Sequence, residues 1–345
     1  MKAIAYEKYG SADVLELREV GKPEIEGDQV LVRVLAASAN PYDWHFMRGI
    51  PYIARLMATG VRKPKHTLLG SDVAGEVEAV GKAVTRFRPG DKVFGFVGAG
   101  GFADYVSAPE KLLALKPANL SFEQAATVPL AAVTALQGLR DAGQIRSGER
   151  VMIVGASGGV GTFAVQIAKW YGAQVTGVCS TGNLEMVRSI GADHVIDYTR
   201  EDYTRNGQHY DLIFQLAGTT SASAFRRVLT SKGRLVLSSG DSPGRVIGPV
   251  GRIVKAMLLS PFVGSQKMLP FVAKASSDDL QALRELIEAG RIKPVIDRTY
   301  PLSEAADAIR YLETGHARGK VVISVSAAPT ANTTRVGSPR AMAAE

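Results

Sequence analysis

The chain has 345 residues, of which 46% are hydrophobic and 21% charged, a balance typical of soluble globular proteins. This length predicts two domains, because a single hydrophobic core rarely keeps growing beyond about 250–300 residues. No apolar run is long enough to cross a bilayer and no signal-peptide pattern is present, so we expect a cytoplasmic protein without a membrane partner.

The net charge and the cysteine count further limit the kinds of protein that this chain can be. The net charge is +8, but the basic residues are scattered rather than grouped into the blocks of a nucleic-acid-binding arm. A basic cleft would serve a phosphate-rich dinucleotide equally well. The single cysteine, Cys179, excludes an intrachain disulfide and a four-cysteine structural zinc site.

Residues 1–126 combine strand-like segments with frequent turn residues. The segments 29–35 and 73–80 predict strands, and 88–94 predicts a turn that leads into another strand. Glycine and proline recur at short intervals, as a barrel-like or curved antiparallel domain requires. We therefore expect a β-rich first domain.

The pattern then changes to alternating strands and helices. An alanine-rich segment, 125–138, has helical composition with Pro129 as its only breaker. The strands predicted after it are 151–154, 174–178, 194–196, 212–215 and 234–238, and the helices are 160–171, 184–190 and 221–229. This alternation predicts an α/β fold with a doubly wound parallel sheet.

The pattern weakens beyond residue 240 and returns near the carboxyl end. Helices are predicted at 277–289 and 302–313, and a strand at 320–325. The segment 327–345 is rich in Ala, Ser, Thr, Pro and Arg without periodicity, so we expect a disordered tail.

A glycine-rich turn, Gly155-Ala-Ser-Gly-Gly-Val-Gly161, lies between a predicted strand and a predicted helix. Glycine permits a sharp reversal and the close approach of a pyrophosphate, which the amides at the helix start then bind. The residues predicted to contact it are Ala156, Ser157, Gly158, Gly159, Val160 and Gly161. A structural turn without a ligand is the alternative, but the strand–turn–helix context favours a dinucleotide site.

The end of the second strand predicts the choice between NAD and NADP. NAD-binding proteins place a carboxylate there, whereas the segment 179–183 has no acid, and the first one is Glu185. Ser180 and Asn183 can donate hydrogen bonds to a 2′-phosphate, and Tyr198 can cap it from the next strand. No Lys or Arg lies in this turn, so NAD remains the alternative, but we expect NADP(H).

Four motifs together resemble the medium-chain dehydrogenase/reductases, and most closely their quinone oxidoreductase branch. They are Ala37-Ser-Ala-Asn-Pro-Tyr-Asp43, Leu69-Gly-Ser-Asp-Val-Ala-Gly-Glu-Val77, Val128-Pro-Leu-Ala-Ala-Val-Thr-Ala-Leu-Gln137 and Ala156-Ser-Gly-Gly-Val-Gly-Thr-Phe-Ala-Val-Gln-Ile-Ala168. The resemblance implies a GroES-like catalytic domain over 1–126 and 268–326, and a Rossmann domain over 127–267. Relatives also pair the edges of their Rossmann sheets, which makes a homodimer an expectation.

The same resemblance argues against a catalytic metal. Zinc-dependent relatives carry cysteine where this chain has Asn40, and a His-Glu pair where it has Ser71-Asp72. His45 and His66 fall outside the ligand positions, so we interpret them as surface or packing residues. A zinc site needs three or four close nitrogen, sulfur or carboxylate ligands, and we expect none here.

Without a metal to stabilise an alkoxide, hydride transfer onto an electron-poor carbon is easier than alcohol oxidation. Quinones and α,β-unsaturated carbonyls are already activated, so the protein mainly has to orient the substrate and the nicotinamide. The candidate catalytic residues are Asn40, Tyr42, Asp43 and Thr134.

Each catalytic candidate also has a structural interpretation. Asn40 can donate to a substrate oxygen or hold the ribose, or it can stabilise the turn before Pro41. Tyr42 is a candidate proton donor or a packing residue. Asp43 is expected to anchor the loop rather than act as a base. Thr134 lies close to the nicotinamide by resemblance, although such residues often only pack.

Further cofactor contacts are predicted at the ends of later strands. They are Leu216 and Ala217 at the ribose, and Ser238, Ser239 and Gly240 near the nicotinamide. In Ala317-Arg-Gly-Lys320, a basic side chain resembles the family residue that reaches the cofactor phosphates, which makes Lys320 a candidate; an ordinary surface charge is the alternative.

Three functions are compatible with the sequence. The leading hypothesis is an NADPH-dependent, zinc-free reductase of quinones or α,β-unsaturated carbonyls. An NADP-dependent aldehyde or alcohol oxidoreductase, and an NADPH-binding regulatory or RNA-associated protein with little catalysis, are the alternatives.

Overall fold

The computed structural model describes residues 1–52, 55, 60–238 and 265–325. The predicted tail at 327–345 lies outside these residues. Within them, no helix is both long enough and apolar enough to cross a membrane.

The first sheet takes its seven strands from both ends of the chain. They are β3 (Gln29–Ala39), β4 (Asp72–Val80), β5 (Lys92–Phe96), β6 (Tyr105–Pro109), β7 (Leu113–Leu115), β14 (Ile296–Pro301) and β15 (Lys320–Ser324), while β1 (Lys2–Ala5) and β2 (Glu16–Glu19) form a separate ribbon. Ala37 on the central strand β3 pairs with Val73 on one side and with Ile323 on the other. The predicted β-rich domain is confirmed.

The second sheet has six parallel strands. They are β8 (Arg150–Val154), β9 (Gln174–Cys179), β10 (His194–Asp197), β11 (Tyr210–Gln215), β12 (Leu229–Ser238) and β13 (Lys267–Phe271), in the spatial order β10-β9-β8-β11-β12-β13. The order runs outward from β8 in one direction and then from β11 in the other, which is the doubly wound arrangement that binds a dinucleotide where the direction reverses. The predicted α/β fold is confirmed.

Helices cover the sheets and join their strands. They are α1 (Pro41–Arg48), α2 (Phe122–Ala126), α3 (Pro129–Gln137), α4 (Gly159–Trp170), α5 (Leu184–Ser189), α6 (Ala222–Arg227), α7 (Ser277–Glu288) and α8 (Ala305–Glu313). The apolar residues of β8 point alternately to two clusters, with Ile153 packing beside Phe163 and Met152 beside Phe225. Both faces of the sheet are therefore buried, which explains the continuous apolar run of this strand.

Several predicted helix boundaries differ from the structure. The predicted helix 125–138 is two helices, because Pro129 has no amide hydrogen and begins α3 at its first turn. The predicted helix 221–229 ends at Arg227, since Leu229 already pairs with Tyr210 as the first residue of β12. The predicted helix 302–313 starts with a 3₁₀ turn, and α8 begins only at Ala305.

The boundary predicted between residues 267 and 268 falls at the first residue of β13. This strand pairs with β12 from Lys267 to Phe271 and so belongs wholly to the parallel sheet. Leu283 of α7 lies in the same hydrophobic cluster as Ile153. The parallel-sheet core therefore continues past the predicted boundary.

Candidate active site

The glycine-rich turn follows β8 at the point where the strand order reverses. Gly155 has φ +87°, a left-handed conformation that favours glycine. At Gly161 a Cβ would come within 2.0 Å of the Gly155 carbonyl oxygen, so only glycine lets α4 begin this close to the strand. Ala156 stands at the position of a first glycine, and Gly177 on β9 leaves room for its methyl group. The turn has the shape of a pyrophosphate cradle.

Residues near the carboxyl end of the chain hydrogen-bond to this turn and pack against it. Gly319 donates its amide hydrogen to the Ser157 carbonyl oxygen at 2.8 Å and forms a bridge with Gly158. The stem of Lys320 passes Gly159 so closely that a Cβ there would lie 2.9 Å from Lys320 Cδ. The start of β15 therefore belongs to the candidate nucleotide site.

The end of β9 carries neutral polar groups. Asn183 Nδ2 donates to Ser157 Oγ at 3.2 Å and to Ser180 Oγ at 3.1 Å. Asn183 Oδ1 is buried and has no hydrogen-bond partner among the residues that the structure describes. An acceptor of this kind suits a ribose hydroxyl. Tyr198 is 56% exposed, and its amide hydrogen is donated to Cys179 O.

One carboxylate, Asp197, lies near the end of β9. It accepts the Thr181 hydroxyl at 2.5 Å, and the amide and hydroxyl of Thr199 at 3.0 and 2.7 Å. These hydrogen bonds hold the pKa of Asp197 below its ordinary value. The carboxylate therefore joins the turn after β9 to the loop after β10.

The loop after β11 closes the other side of the turn. Leu216 donates its amide to Val154 O at 3.0 Å, and Gln215 Nε2 donates to Gly218 O at 3.0 Å. A Cβ on Gly155 would lie 2.8 Å from Ala217 Cβ, so Ala217 flanks the turn. Ser238 ends β12, whereas Ser239 and Gly240 lie outside the described residues.

A buried polar cluster lies where β3, β4 and β15 meet. Asn40 Nδ2 donates to Asp72 Oδ2 at 2.9 Å and to Ser71 Oγ at 3.2 Å, and Asn40 Oδ1 accepts from Lys320 Nζ. Lys320 Nζ lies 3.7 Å from Asp72 Oδ2, and its side chain is only 4% exposed. Asp72 also accepts the Leu130 amide hydrogen at 3.1 Å, which ties the cluster to α3.

The cluster changes the roles predicted for two residues. Both ends of the Asn40 amide are engaged inside the protein, as the structural interpretation of this residue requires. Lys320 was predicted at the cofactor phosphates; the structure instead turns its ammonium group to Asn40 and Asp72. Asp43 Oδ2 accepts the Asn40 amide hydrogen at 2.7 Å, so it holds the start of α1.

Burial shifts the protonation of this cluster. Desolvation raises the pKa of Asp43 to about 7, and repulsion from Asp72 adds to the effect. Desolvation also raises the pKa of Asp72 to about 6, although the Lys320 ammonium opposes it. Burial lowers the pKa of Lys320. Burial therefore raises the pKa of both carboxyl groups toward neutral pH.

This cluster predicts a pH-dependent stability. Because the folded-state pKa of Asp43 lies above its unfolded value, its contribution is fully present below about pH 4 and is lost as the pH rises through about 7. Asp43→Asn resembles the protonated form and escapes this loss. We expect the variant's melting temperature relative to the parent protein to be higher at about pH 8 than at about pH 5.

Thermal unfolding at the two pH values checks this expectation. Asp13→Asn is the control: hydrogen bonding to Arg310 holds the pKa of that exposed carboxyl below its ordinary value, so it stays ionised at both pH values and the variant's difference in melting temperature should be the same at each. The same difference in melting temperature at both pH values for Asp43→Asn would contradict the expectation.

The other two catalytic candidates, Thr134 and Tyr42, differ in the contacts that their side chains make. Thr134 Oγ1 donates to Leu130 O in its own helix at 2.6 Å, which supports a packing role. Tyr42 stacks on Phe46 at 4.2 Å between ring centroids and meets Phe96 edge-on at 5.3 Å. Burial raises the pKa of Tyr42 to about 12, so the phenol keeps its proton at neutral pH.

The histidines interpreted as surface or packing residues occupy such positions. His45 stacks on Trp44 with ring centroids 3.7 Å apart, and His45 Nδ1 lies 2.9 Å from Ile50 O. His66 is exposed.

One residue near the nucleotide site, Arg318, was not assigned from the sequence, although it lies in the segment Ala317-Arg-Gly-Lys320 where a basic side chain was expected at the cofactor phosphates. The guanidinium of Arg318 lies beside Gly182, in the turn after β9 where no basic residue was found. Only the tertiary structure brings the two segments together, through the pairing of Gly319 with Gly158.

A β-rich domain packed on a doubly wound sheet, with a nucleotide cradle and a buried polar cluster, defines a two-domain oxidoreductase. Two domain models match the sequence: the alcohol dehydrogenase GroES-like domain over residues 26–118 and the zinc-binding dehydrogenase domain over residues 190–323. The chain belongs to the medium-chain dehydrogenase/reductase family, in its quinone oxidoreductase-like branch.

Individual relatives agree with this assignment. A 2-methylene-furan-3-one reductase from Solanum lycopersicum is 38% identical over 337 residues, covering 94% of this chain and 79% of the relative. A chloroplastic NADPH-dependent alkenal/one oxidoreductase from Arabidopsis thaliana has the same identity, 38%, and the same coverage, 94% and 79%. The structure of the quinone oxidoreductase from Coxiella burnetii matches with a TM-score of 0.80 at 31% identity, covering 94% of this chain and 99% of that one.

Proposed function

We propose that this oxidoreductase uses NADPH to reduce quinones or α,β-unsaturated carbonyls by direct hydride transfer, without a metal. The observation that carries the proposal is the Lys320 ammonium group held by Asn40 and Asp72. By resemblance, these are positions where zinc-dependent members hold their metal. The names of the Solanum and Arabidopsis relatives, a furanone reductase and an alkenal/one oxidoreductase, support the substrate class.

The residues around the turn fit a dinucleotide. Gly161 leaves space that a Cβ would fill, and the first amides of α4 face the position of a pyrophosphate. The unpartnered Asn183 Oδ1 suits a ribose hydroxyl. When bound there, NADPH would supply the hydride.

The donor set supports a reaction without a metal. A cation already lies in the cluster, because the Lys320 ammonium group contacts the Asn40 and Asp72 oxygens. A metal ion bound to the same oxygens would be repelled by this ammonium group. In the described parts of the chain, no group of three or more His, Cys, Asp or Glu residues has the arrangement of a metal site.

The substrate is then activated by its own conjugation and by hydrogen bonding. Tyr42 lies on the first turn of α1, and its raised pKa keeps the phenol protonated. We propose that Tyr42 donates a hydrogen bond, and then its proton, to the oxygen where charge develops during reduction. Asn40 and Asp43 hold the start of this helix in place and act as positioning residues.

The test compares an enal with the saturated aldehyde of equal length, following NADPH oxidation by its absorbance. We expect turnover of the enal and of an ortho-quinone, little turnover of the saturated aldehyde, and no effect of a chelator. Preference for the saturated aldehyde would favour the aldehyde reductase alternative. Loss of activity with a chelator, restored by added zinc, would contradict the metal-free mechanism.

Three further assignments remain proposals. They are a cytoplasmic location, a homodimer, and a two-domain division in which the Rossmann domain begins near residue 127. The Arabidopsis relative is chloroplastic by name, so cell fractionation is needed to establish the location. Light scattering in solution tests the dimer.

A further inference from the structure

A cavity of about 320 Å³ lies at the amino-terminal edge of the parallel sheet. Its walls are the loop that leads into β11, with Arg205, Gln208 and His209, and the end of α6, with Arg227. The glycine-rich turn follows the carboxyl end of β8 and so lies at the opposite edge of the sheet. The cavity is therefore separate from the candidate nucleotide site, and its volume lies in the range of small-molecule sites.

The side chains that line this cavity carry positive charge. None of the lining residues is acidic, and two of them, Arg205 and Arg227, are arginines with exposed side chains. Gln208 and His209 add side-chain N–H groups that no hydrogen bond engages in the described parts of the chain. Two guanidinium groups in a cavity without a carboxylate favour an anionic ligand.

The guanidinium of Arg227 is oriented by a chain of hydrogen bonds. Its Nη2 donates to Thr204 Oγ1 at 3.2 Å, and that hydroxyl donates in turn to Asp202 Oδ1 at 2.7 Å. Thr204 is buried, and its amide hydrogen is also donated to Asp202 Oδ1, at 2.9 Å. Among residues 1–52, 55, 60–238 and 265–325, the hydrogen bond to Thr204 is the only one that Arg227 donates from its side chain, so its other N–H groups are available to a ligand.

One carboxylate, that of Asp202, lies near the arginines without lining the cavity. Hydrogen bonds from Thr204 hold the pKa of Asp202 below its ordinary value, so this group stays ionised at neutral pH. Its Oδ2 atom is 3.6 Å from Arg205 Nε, and both side chains are more than half exposed. An exposed ion pair of this length is weak, so an incoming anion can compete for Arg205.

Several carbonyl oxygens at the end of α6 are already engaged. Val228 O accepts the Tyr210 amide hydrogen at 2.8 Å, and Arg226 O accepts from Gln266 Nε2 at 3.1 Å. These hydrogen bonds satisfy oxygens whose partial negative charge would otherwise oppose an anion at the carboxyl end of a helix.

A second cavity, of about 440 Å³, shares Arg227 with the first. It adds the Arg226 side chain and the hydroxyl groups of Ser223 and Ser231, and it too is lined by no acidic residue. No Phe, Tyr or Trp lines either cavity, so neither offers the stacking surface on which proteins bind nucleic acid bases. Guanidinium groups with hydroxyl and amide donors instead suit the oxygens of a phosphate group.

We propose that the amino-terminal edge of the parallel sheet carries a second ligand site, in which Arg227 and Arg205 bind a phosphomonoester and Gln208 and His209 are further donors. The site goes beyond the proposed function, because it is separate from the glycine-rich turn and its occupation requires no hydride transfer. A small soluble molecule and a lipid headgroup can both present this group, and the test distinguishes them.

The first measurement is calorimetric titration of the full chain with glycerol 3-phosphate, at about 0.15 M salt and with NADPH present so that the glycine-rich turn is occupied. We expect a dissociation constant of about 1 mM or below. In Arg227→Gln this constant should rise about tenfold, because a charge-assisted hydrogen bond to phosphate is lost. Thr204→Val keeps both arginines but removes the hydroxyl that orients Arg227, and should raise the constant about threefold.

Two arginine variants and a neutral ligand serve as controls. Arg150→Gln removes an exposed charge from the same sheet edge, at the first residue of β8, and lines neither cavity. Arg88→Gln removes a side chain that is 87% exposed in the β-rich domain. Both should leave the dissociation constant within about twofold of the parent value, and glycerol should not bind. The melting temperatures of the arginine variants should match that of the parent protein, because these side chains are exposed.

Vesicles identify the source of the phosphate group. Phosphatidylcholine vesicles containing phosphatidic acid present a phosphomonoester, whereas vesicles of equal charge containing phosphatidylglycerol present only a diester. Retention on phosphatidic acid alone, lost in Arg227→Gln, would support the site and assign it to a lipid headgroup. Binding of glycerol 3-phosphate without retention on vesicles would support the site and assign it to a soluble ligand.

The remaining outcomes overturn the inference. They are the absence of binding in both measurements, an affinity for glycerol 3-phosphate that Arg227→Gln leaves unchanged, and equal retention on the two kinds of vesicle without binding of glycerol 3-phosphate. None of these results bears on the reduction of quinones or enones. NADPH oxidation in the parent protein tests that function independently.

Discussion

Gly161→Ala is expected to abolish cofactor binding and to destabilise the protein by about 1–3 kcal/mol. The added methyl group would lie 2.0 Å from the Gly155 carbonyl oxygen and 2.8 Å from Ala156 Cα. Both are backbone atoms of the tight turn between β8 and α4, so neither can move aside without displacing α4. The displaced helix would no longer direct its first amides at the pyrophosphate.

Thermal unfolding and NADPH titration on the same preparation measure the two effects. Gly21→Ala is the control for the substitution itself, because a Cβ there meets nothing within 4 Å. Gly158→Ala separates binding from folding. Its Cβ would lie 3.5 Å from Gly155 O, an ordinary contact, so the melting temperature should hold while the methyl group crowds the phosphate. Unchanged NADPH affinity in Gly161→Ala would show that the turn does not hold the dinucleotide.

Lys320→Met is expected to cost about 3–5 kcal/mol of folding stability and most of the activity. The change leaves the Asp72 carboxylate buried without its cation and leaves Asn40 Oδ1 without its donor. With the ammonium group removed, the pKa of Asp72 rises further above its ordinary value, since Lys320 is the largest influence that lowers it. The start of α1, and with it Tyr42, would lose its support.

Two comparisons make this expectation specific. Lys22→Met breaks the exposed pair with Glu78 and should cost no more than about 1 kcal/mol. Adding Asp72→Asn to Lys320→Met removes the uncompensated charge and should recover part of the lost stability. Urea unfolding of the four proteins measures these differences. A cost for Lys320→Met no larger than that of Lys22→Met would mean that the cluster contributes little to the fold.

Lys320 also links the two halves of the candidate site. Its backbone follows the residue that pairs with the glycine-rich turn, its stem passes Gly159, and its ammonium group ends at Asn40. Arg318, two residues earlier, lies beside Gly182 in the turn after β9. The short segment 318–320 therefore contacts the glycine-rich turn, the turn after β9 and the buried cluster.

The sequence alone determined the fold class, the glycine-rich turn and the absence of metal-ligand residues at Asn40 and Ser71-Asp72. These features are local: a strand, a tight turn and a helix are specified by neighbouring residues through backbone geometry and apolar periodicity. Helix ends were predicted less well, as at residues 125–138 and 221–229. There, proline at the first helical turn and the pairing of Leu229 in β12 set the boundaries.

The tertiary structure alone decided where the side chains of Lys320 and Arg318 lie. Both lie far along the chain from the turn, and a charged side chain carries no local signal of the partner it will meet. Lys320 was expected at the phosphates but is directed to Asn40 and Asp72, because β15 pairs with β3 and delivers its first residue into that cluster. Arg318 brings a guanidinium to a turn with no basic residue of its own, because the bridge between Gly158 and Gly319 fixes the two segments side by side. The surroundings of these two charged side chains depend on strand pairing between segments that are distant in the chain. The residues next to Lys320 and Arg318 in the sequence do not reveal that pairing.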